Sequence, residues 1–181
     1  NGDAKFYFEY VSVLPSKVYS FSSWYKSNVA TRLVLASTTS SGDIFTDLGP
    51  VTASPSGWTK LTATIETQPN TLKISFLHII ESVGYLQTDD YFLAQQTSAP
   101  PPPPPGNSVL NPSVELGAQL PTSWVPASYG IYHLYLFETI EQLNIFNFTT
   151  GINTPVFEWV NGDAKTGARS LRVTLNSYSD G

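Results

Sequence analysis

A run of consecutive prolines from Pro100 to Pro105 constrains the fold of this 181-residue chain more than any other feature. Proline has a fixed φ and no amide hydrogen to donate, so such a run cannot lie inside a β-sheet or continue a helix. It predicts a polyproline II rod of roughly 19 Å, at about 3.1 Å per residue. We therefore predict a linker over residues 95–106, with folded segments at residues 1–94 and 107–181.

Both flanking segments show the alternation of strands and no convincing helical period. In residues 61–66 Leu, Ala and Ile alternate with Thr and Glu, and in residues 171–176 Leu, Val and Leu alternate with Arg, Thr and Asn. A period of two places the apolar side chains on one face of a strand. Residues 120–130 are loop-like. The chain is predicted to be all-β, with further strands at residues 4–13, 17–25, 31–37, 72–80, 85–93 and 107–115.

The composition argues against several classes of function. Charged residues make up 13% of the chain and the net charge is −5, without any Lys or Arg cluster, which argues against nucleic-acid binding. The chain has no Cys, which excludes disulfides and thiolate metal sites, and no apolar run approaches the roughly 20 residues of a membrane span. The absence of Met indicates a mature product or a segment of a longer protein. Low charge with many Ser, Thr and aromatic residues favours an extracellular or cell-surface location.

The two ends of the sequence complement each other. Residues 169–181 followed by residues 1–13 read as strand, Asp-Gly-Asn-Gly-Asp turn and strand, which is a strong hairpin signal. A complete domain would then run from residue 107 to residue 181 and continue through a copy of residues 1–94. Two explanations are open: one period of a tandem array cut inside a hairpin, which the proline linker favours, or a circularly permuted single domain.

In this rotated order several motifs carry a resemblance to a known family. They are NSVLNPSVE (107–115), GARSLRVTL (167–175), NGDAKFYF (1–8) and ISFLHIIESVGYLQTDDYFL (74–93). Their order resembles the jelly-roll carbohydrate-binding-module-like domains of bacterial surface and secreted proteins, within the galactose-binding-like group. The resemblance implies a two-sheet β-sandwich. It also implies a structural calcium ion held by Glu115 of the first motif and by Asp89 and Asp90 of the last, and Ca²⁺ does favour such oxygen ligands.

Candidate binding residues are aromatic. Trp24, Tyr25 and Tyr85 are flanked by Ser, Lys and Gln, so they are the rings that we expect to stack on a sugar, although core packing holds most large aromatics. Asn147 is the acceptor of an N-x-[ST] motif, and Thr97 and Ser98 beside the prolines are candidate sites of O-linked glycans.

No catalytic constellation is visible in the sequence. Neither G-x-S-x-G nor H-E-x-x-H occurs, and His78 and His133 lie in strand patterns far from any nucleophile motif. The chain is therefore predicted to be non-enzymatic. The favoured function is an extracellular structural repeat that forms a fibre or stalk with neighbouring copies of itself. The alternative is a carbohydrate-binding module of a secreted or cell-surface protein, with glycans as ligands.

Overall fold

A computed structural model describes residues 2–96, 106–118, 120–129 and 155–178 of the chain. The proline run, which was predicted to be a polyproline II linker, and the aromatic-rich residues 130–154 lie outside these ranges. All described regular structure is β-strand, in agreement with the predicted class. The strands are β1 (Asp3–Phe8), β2 (Val11–Ser12), β3 (Val18–Ser27), β4 (Thr31–Thr39), β5 (Gly42–Val51), β6 (Ser54–Glu66), β7 (Thr71–Ile79), β8 (Gly84–Gln95), β9 (Trp124–Tyr129), β10 (Pro155–Asn161) and β11 (Arg169–Leu175).

The strands form two layers. One layer is a five-stranded antiparallel sheet in the order β10-β11-β8-β3-β6, and the other contains the four-stranded sheet β2-β7-β4-β5. β1 pairs with β9 and adjoins this second sheet, because the backbone amides of Ala4 and Ile80 each donate to the other's carbonyl at 3.0 Å. β1 and β2 thus run along the same neighbour, β7. The second layer continues through β9.

Alternate side chains of both layers fill the core between them. In β3 the buried residues are Tyr19, Phe21, Ser23, Tyr25 and Ser27, which alternate with partly exposed ones. The ring of Phe21 stacks on Phe76 of the opposite layer, with centroids 4.1 Å apart and nearly parallel planes. Burying a large aromatic side chain stabilises the fold by about 2–3 kcal/mol. The predicted all-β, two-sheet sandwich is confirmed.

The segments on either side of the prolines contribute to the same sheets. β11 of the second segment lies between β10 and β8, and it pairs with β8 from Leu171 opposite Thr88 to Leu175 opposite Gly84. β9 of the second segment pairs with β1 from Trp124 opposite Phe8 to Tyr129 opposite Asp3. Residues 3–95 and the described parts of residues 107–178 therefore share one core in this chain.

Residues 107–115, which the sequence predicts to be a strand, form a loop on the side of β8. Asn111 and Val114 have positive φ values of 49° and 52°, which a strand does not contain. The side chain of Asn107 forms hydrogen bonds with the backbone of β8. Its Oδ1 accepts from Leu93 N at 3.0 Å, and its Nδ2 donates to Tyr91 O at 2.7 Å. The loop is fixed because the indole N–H of Trp159 donates to the carbonyl of Val114 at 2.7 Å.

Candidate functional site

The five-stranded sheet has an outer face, formed by the side chains of β10, β11, β8, β3 and β6 that point away from the core. On this face register pairs place Glu158, Arg172, Gln87 and Lys26 next to one another across β10, β11, β8 and β3. We call these four residues the polar row. Both the Nε and the Nη2 of Arg172 donate to Gln87 Oε1, at 3.2 and 2.6 Å. A neutral amide thus orients the guanidinium.

The loop of residues 162–168 lies over one side of the polar row. Asp163 links this loop to the polar row. Its carboxylate accepts a hydrogen bond from Lys26 Nζ at 2.6 Å and lies 3.7 Å from Arg172 Nη2. The Asp163 carbonyl accepts from Gln87 Nε2 at 2.7 Å and from Ser170 Oγ at 2.6 Å. The hydrogen bond from Lys26 lowers the pKa of Asp163, so this carboxylate is charged at neutral pH.

Two carboxylates hold the other side of the loop. Asp89 Oδ2 accepts from the backbone amides of Lys165 at 2.7 Å and of Thr166 at 3.1 Å. Glu115 Oε1 accepts from the amides of Ala168 at 3.0 Å and of Arg169 at 2.8 Å. Asp89 is fully buried, and this desolvation raises its pKa to about 6 against the opposing effect of the amide bonds. The two acids anchor the loop.

The predicted calcium ligands therefore face a set of amide donors. Asp89 and Glu115 contact neighbouring parts of one loop, and the amide of Asp90 donates to Asp89 Oδ1 at 2.7 Å. Ca²⁺ takes six to eight oxygen ligands, whereas no group of three or more acidic, His or Cys side chains suited to a metal occurs within the described ranges. Asp89 Oδ1, Asp89 Oδ2 and Glu115 Oε1 accept N–H bonds here, which leaves these oxygens fewer lone pairs for a cation. Calcium binding stays a prediction that melting temperatures in Ca²⁺ and in chelator would test.

Three aromatic rings on or beside the outer face each lie under a cation. Lys165 Nζ is 3.9 Å from the ring centroid of Trp24, and Lys26 Nζ is 4.9 Å from that of Trp58. The guanidinium carbon of Arg172 is 5.5 Å from the ring centroid of Tyr85. Cation–π contacts of this kind stabilise exposed sites by about 0.5–1 kcal/mol each.

Tyr25 lies on the opposite side of β3 from Trp24. Its side chain is 4% exposed, its hydroxyl donates to the carbonyl of Thr52 at 2.8 Å, and its ring packs edge-on against His78. Burial raises the pKa of this hydroxyl. Such a ring has no free face on which a sugar could stack, so Tyr25 belongs to the core and not to the candidate site.

Tyr85 lines an open pocket of about 400 Å³ at the end of the outer face where β8 begins and β11 ends. Its neighbours offer hydrogen-bonding groups of both kinds: two amides, a hydroxyl and a guanidinium. The Asn28 side chain is fixed there because its Oδ1 accepts from the backbone amide of Tyr85 at 2.8 Å. The pocket, called the Tyr85 pocket below, is lined by Asn28, Val83, Tyr85, Arg172, Thr174 and Asn176, among others.

The polar members of the Tyr85 pocket were absent from the sequence-based candidates. A signal for them exists in residues 171–176, where Arg172, Thr174 and Asn176 alternate with buried Leu and Val side chains. The alternation predicts that these three share a face, but their proximity to Tyr85 depends on the pairing of β11 with β8, which joins residues far apart in sequence.

The predicted glycosylation sites Asn147, Thr97 and Ser98 lie outside the described residues. Within the described ranges no helix has the length and apolar character needed to cross a membrane.

No family model matches the chain, and a search of curated proteins finds no match. Among solved structures the chain is similar to a carbohydrate-binding module, described as PbXyn10C CBM in its apo form. The TM-score is 0.47 and the identity 15%, over 68% of this chain and 70% of that chain.

Proposed function

We propose that this chain is a non-enzymatic carbohydrate-binding module and that its ligand occupies the Tyr85 pocket. The observation that carries the proposal is the geometry of this pocket, in which a half-buried aromatic ring borders about 400 Å³ of open space beside amide, hydroxyl and guanidinium groups. Sugars present an apolar face to a flat ring and hydroxyl groups to donors and acceptors at its rim. The pocket supplies both kinds of contact.

A second pocket, on the outside of the other sheet, offers less to a sugar. It has a volume of about 440 Å³ and is lined mainly by Val34, Phe45, Leu77 and Ile79. Its charged lining residues, Asp3 and Lys5, form an ion pair with each other. A sugar bound there could stack on Phe45, but it would bury hydroxyl groups against Val34, Leu77 and Ile79, at a cost for each unpaired group. The Tyr85 pocket is therefore the better candidate.

Substitution of Tyr85 tests the proposal. We expect Tyr85→Ala to weaken binding to the best polysaccharide or glycan of an array by about tenfold or more, because the stacking surface is lost. Tyr85→Phe keeps the ring and is expected to bind within a few fold of the parent chain. Affinities are measured by isothermal titration calorimetry, with the melting temperature as a check on folding.

Phe45→Ala is the matched control, because it removes a 63% exposed ring from the other sheet. Its affinity is expected to equal that of the parent chain. The absence of binding to any glycan would overturn the proposal, and so would a Tyr85→Ala variant that binds as tightly as the parent.

The fibre-forming repeat that the sequence favours is the second candidate. In such a repeat, residues 107–181 of one copy would form a domain with residues 1–94 of the next copy. The hairpin on which this hypothesis was based does not form here: β11 pairs with β10 and β8, whereas β1 pairs with β9 in the other layer. Both candidate functions imply an extracellular location, which the low content of charged residues and the proline run support.

A further inference from the structure

Four cationic side chains lie on the outer face of the five-stranded sheet or on the loop above it. The chain carries a net charge of −5, yet Lys26, Lys60, Lys165 and Arg172, four of its nine Lys and Arg residues, lie on this face or on the loop above it. Lys60 is the register partner of Trp24, whose ring Lys165 covers. A cation of this face that has no close carboxylate can attract an anionic ligand, although the chain as a whole is acidic.

The acidic groups nearby leave much of this charge without a partner. Asp163 is shared between Lys26 and Arg172, and Asp89 is buried with its oxygens turned to backbone amides. Among the ion pairs of the described residues, none involves Lys60 or Lys165. Glu158 of the polar row is the remaining carboxylate next to Arg172. Glu66 at the end of β6 also lies on this face, so the face as a whole carries similar numbers of cations and anions, and the excess of positive charge is local.

Arg32 on the other sheet shows the contrast. Its guanidinium contacts two carboxylates, Asp47 at 2.5 Å and Glu81 at 3.0 Å, so its charge is fully matched. Arg172 has one shared carboxylate at 3.7 Å and donates its shorter hydrogen bonds to the neutral amide oxygen of Gln87. Gln87 therefore positions Arg172 without neutralising it.

Arg172 also lines the Tyr85 pocket, with its guanidinium carbon 5.5 Å from the centroid of the tyrosine ring. A guanidinium binds a carboxylate through directed, charge-assisted hydrogen bonds. A sugar that stacks on Tyr85 would hold its ring substituents within reach of this group. We propose that the Tyr85 pocket selects acidic glycans, in which Arg172 binds the carboxylate of a uronic acid residue. This inference rests on the proposed carbohydrate-binding function and names its ligand class.

The test compares each acidic polysaccharide with the same polymer after reduction of its carboxyl groups. Polygalacturonate, alginate and a glucuronoxylan serve as the panel, with the full chain as the protein. We expect at least one native polymer to bind about tenfold more tightly than its reduced form, the effect of one charge-assisted hydrogen bond. This preference should disappear as the salt concentration rises from about 0.01 M to about 1 M.

Substitutions then assign the preference to a residue. Arg172→Gln is expected to bind native and reduced polymers equally, at the affinity of the parent chain for the reduced form. Lys73→Gln removes the same charge from an exposed position on the other sheet and should leave both affinities unchanged. Asp163→Asn removes the competing carboxylate, and its affinity for the native polymer should rise by a few fold.

The outcomes separate the inference from the function on which it rests. Equal binding of native and reduced polymers by the parent chain would overturn the acidic preference and leave carbohydrate binding in place. The absence of binding to any polysaccharide would overturn both. Polyglutamate bound as tightly as the native polymer would show attraction by charge without sugar recognition, and it would also overturn the inference.

Discussion

His78 is a histidine enclosed by the core. Its side chain is 1% exposed, its Nε2 lies 2.7 Å from Thr31 Oγ1, and its ring packs against Tyr25 with centroids 5.2 Å apart. Nδ1 has no hydrogen-bond partner within the described residues. Desolvation lowers the pKa of His78 to about 3, so the imidazole is neutral in the folded protein at physiological pH.

Acid should therefore destabilise the fold through His78. The unfolded chain binds a proton at this residue near its ordinary pKa of 6.5, whereas the folded chain does so only near pH 3. The contribution of neutral His78 to the free energy of unfolding is complete above about pH 6.5. It is lost as the pH falls toward 3, by an amount on the order of a few kcal/mol. We expect urea unfolding of the parent chain to show this loss and His78→Gln to lack it.

Asp89 contributes with the opposite sign, so the two residues must be separated. Its pKa is raised from 3.8 to about 6, and its contribution therefore becomes less favourable as the pH rises through this window. Both proteins contain Asp89, so its effect cancels when the free energy of unfolding of His78→Gln is subtracted from that of the parent at each pH. A difference that stays constant from pH 7 to pH 4 would contradict the prediction for His78.

Trp24 and Tyr25 show which side-chain positions the sequence determines. Adjacent residues of a strand point to opposite faces, so the sequence predicts that one of the two faces the core. The buried partners Tyr19 and Phe21 have the same parity as Tyr25, and that parity identifies Tyr25 as the core residue. The flanking Ser and Lys residues suggested exposure of both rings. Neighbours in sequence are a weak guide here, because in a strand they lie on both faces.

At the scale of the element, the loop of residues 162–168 contains two glycines with left-handed backbone. Gly162 has a φ of 82° and Gly167 a φ of 68°. A Cβ at Gly162 would meet no atom within 4 Å, whereas a Cβ at Gly167 would lie 2.5 Å from Glu115 Oε1. Only the second position combines an unusual conformation with a close approach.

Alanine substitutions should separate these two effects. Gly162→Ala is expected to cost about 1–2 kcal/mol from the left-handed conformation alone. Gly167→Ala carries the same strain and also displaces Glu115 from the amides of Ala168 and Arg169, which adds roughly 1–3 kcal/mol. Urea unfolding of both variants measures the difference. Equal losses would show that Glu115 does not anchor the loop.

Strands with clear alternation were predicted well, and elements defined by distant partners were not. The strands β3, β4, β7 and β8 follow from local pattern and turn residues. β5 escaped prediction because most of its side chains are exposed on both faces, so the pattern lacks contrast. β9 was taken for a loop because its pairing with β1 depends on residues that precede it by more than a hundred positions.

At the scale of the whole molecule, neither segment beside the prolines has a complete core of its own. Residues 2–96 lack β11, which lies between β8 and β10, and the described parts of residues 106–178 supply β9, β10 and β11. The buried side chains of Leu171, Val173 and Leu175 pack in the same cluster as Phe21 and Phe76. The two segments should therefore unfold as one unit.

Fragments test this expectation. We expect residues 1–96 and residues 106–181, prepared separately, to lack a cooperative thermal transition, and their mixture to regain one in circular dichroism. The control is a chain that is folded first and then cut at a protease site inserted between residues 100 and 105; it should stay folded. A cooperative transition of the first fragment alone would contradict the shared core. If light scattering showed dimers of the intact chain, this result would support exchange of strands between copies and thus the fibre-forming candidate.

The central position of β11 also has a consequence for biosynthesis. β11 ends at Leu175 and lies between β10 and β8. The five-stranded sheet is therefore incomplete until this part of the chain has left the ribosome. Until then the growing polypeptide displays the unpaired edges of both neighbours, and such edges invite pairing with other chains. Translation of β11 is thus the step that removes an aggregation hazard, and we expect a nascent chain stalled before residue 169 to recruit chaperones.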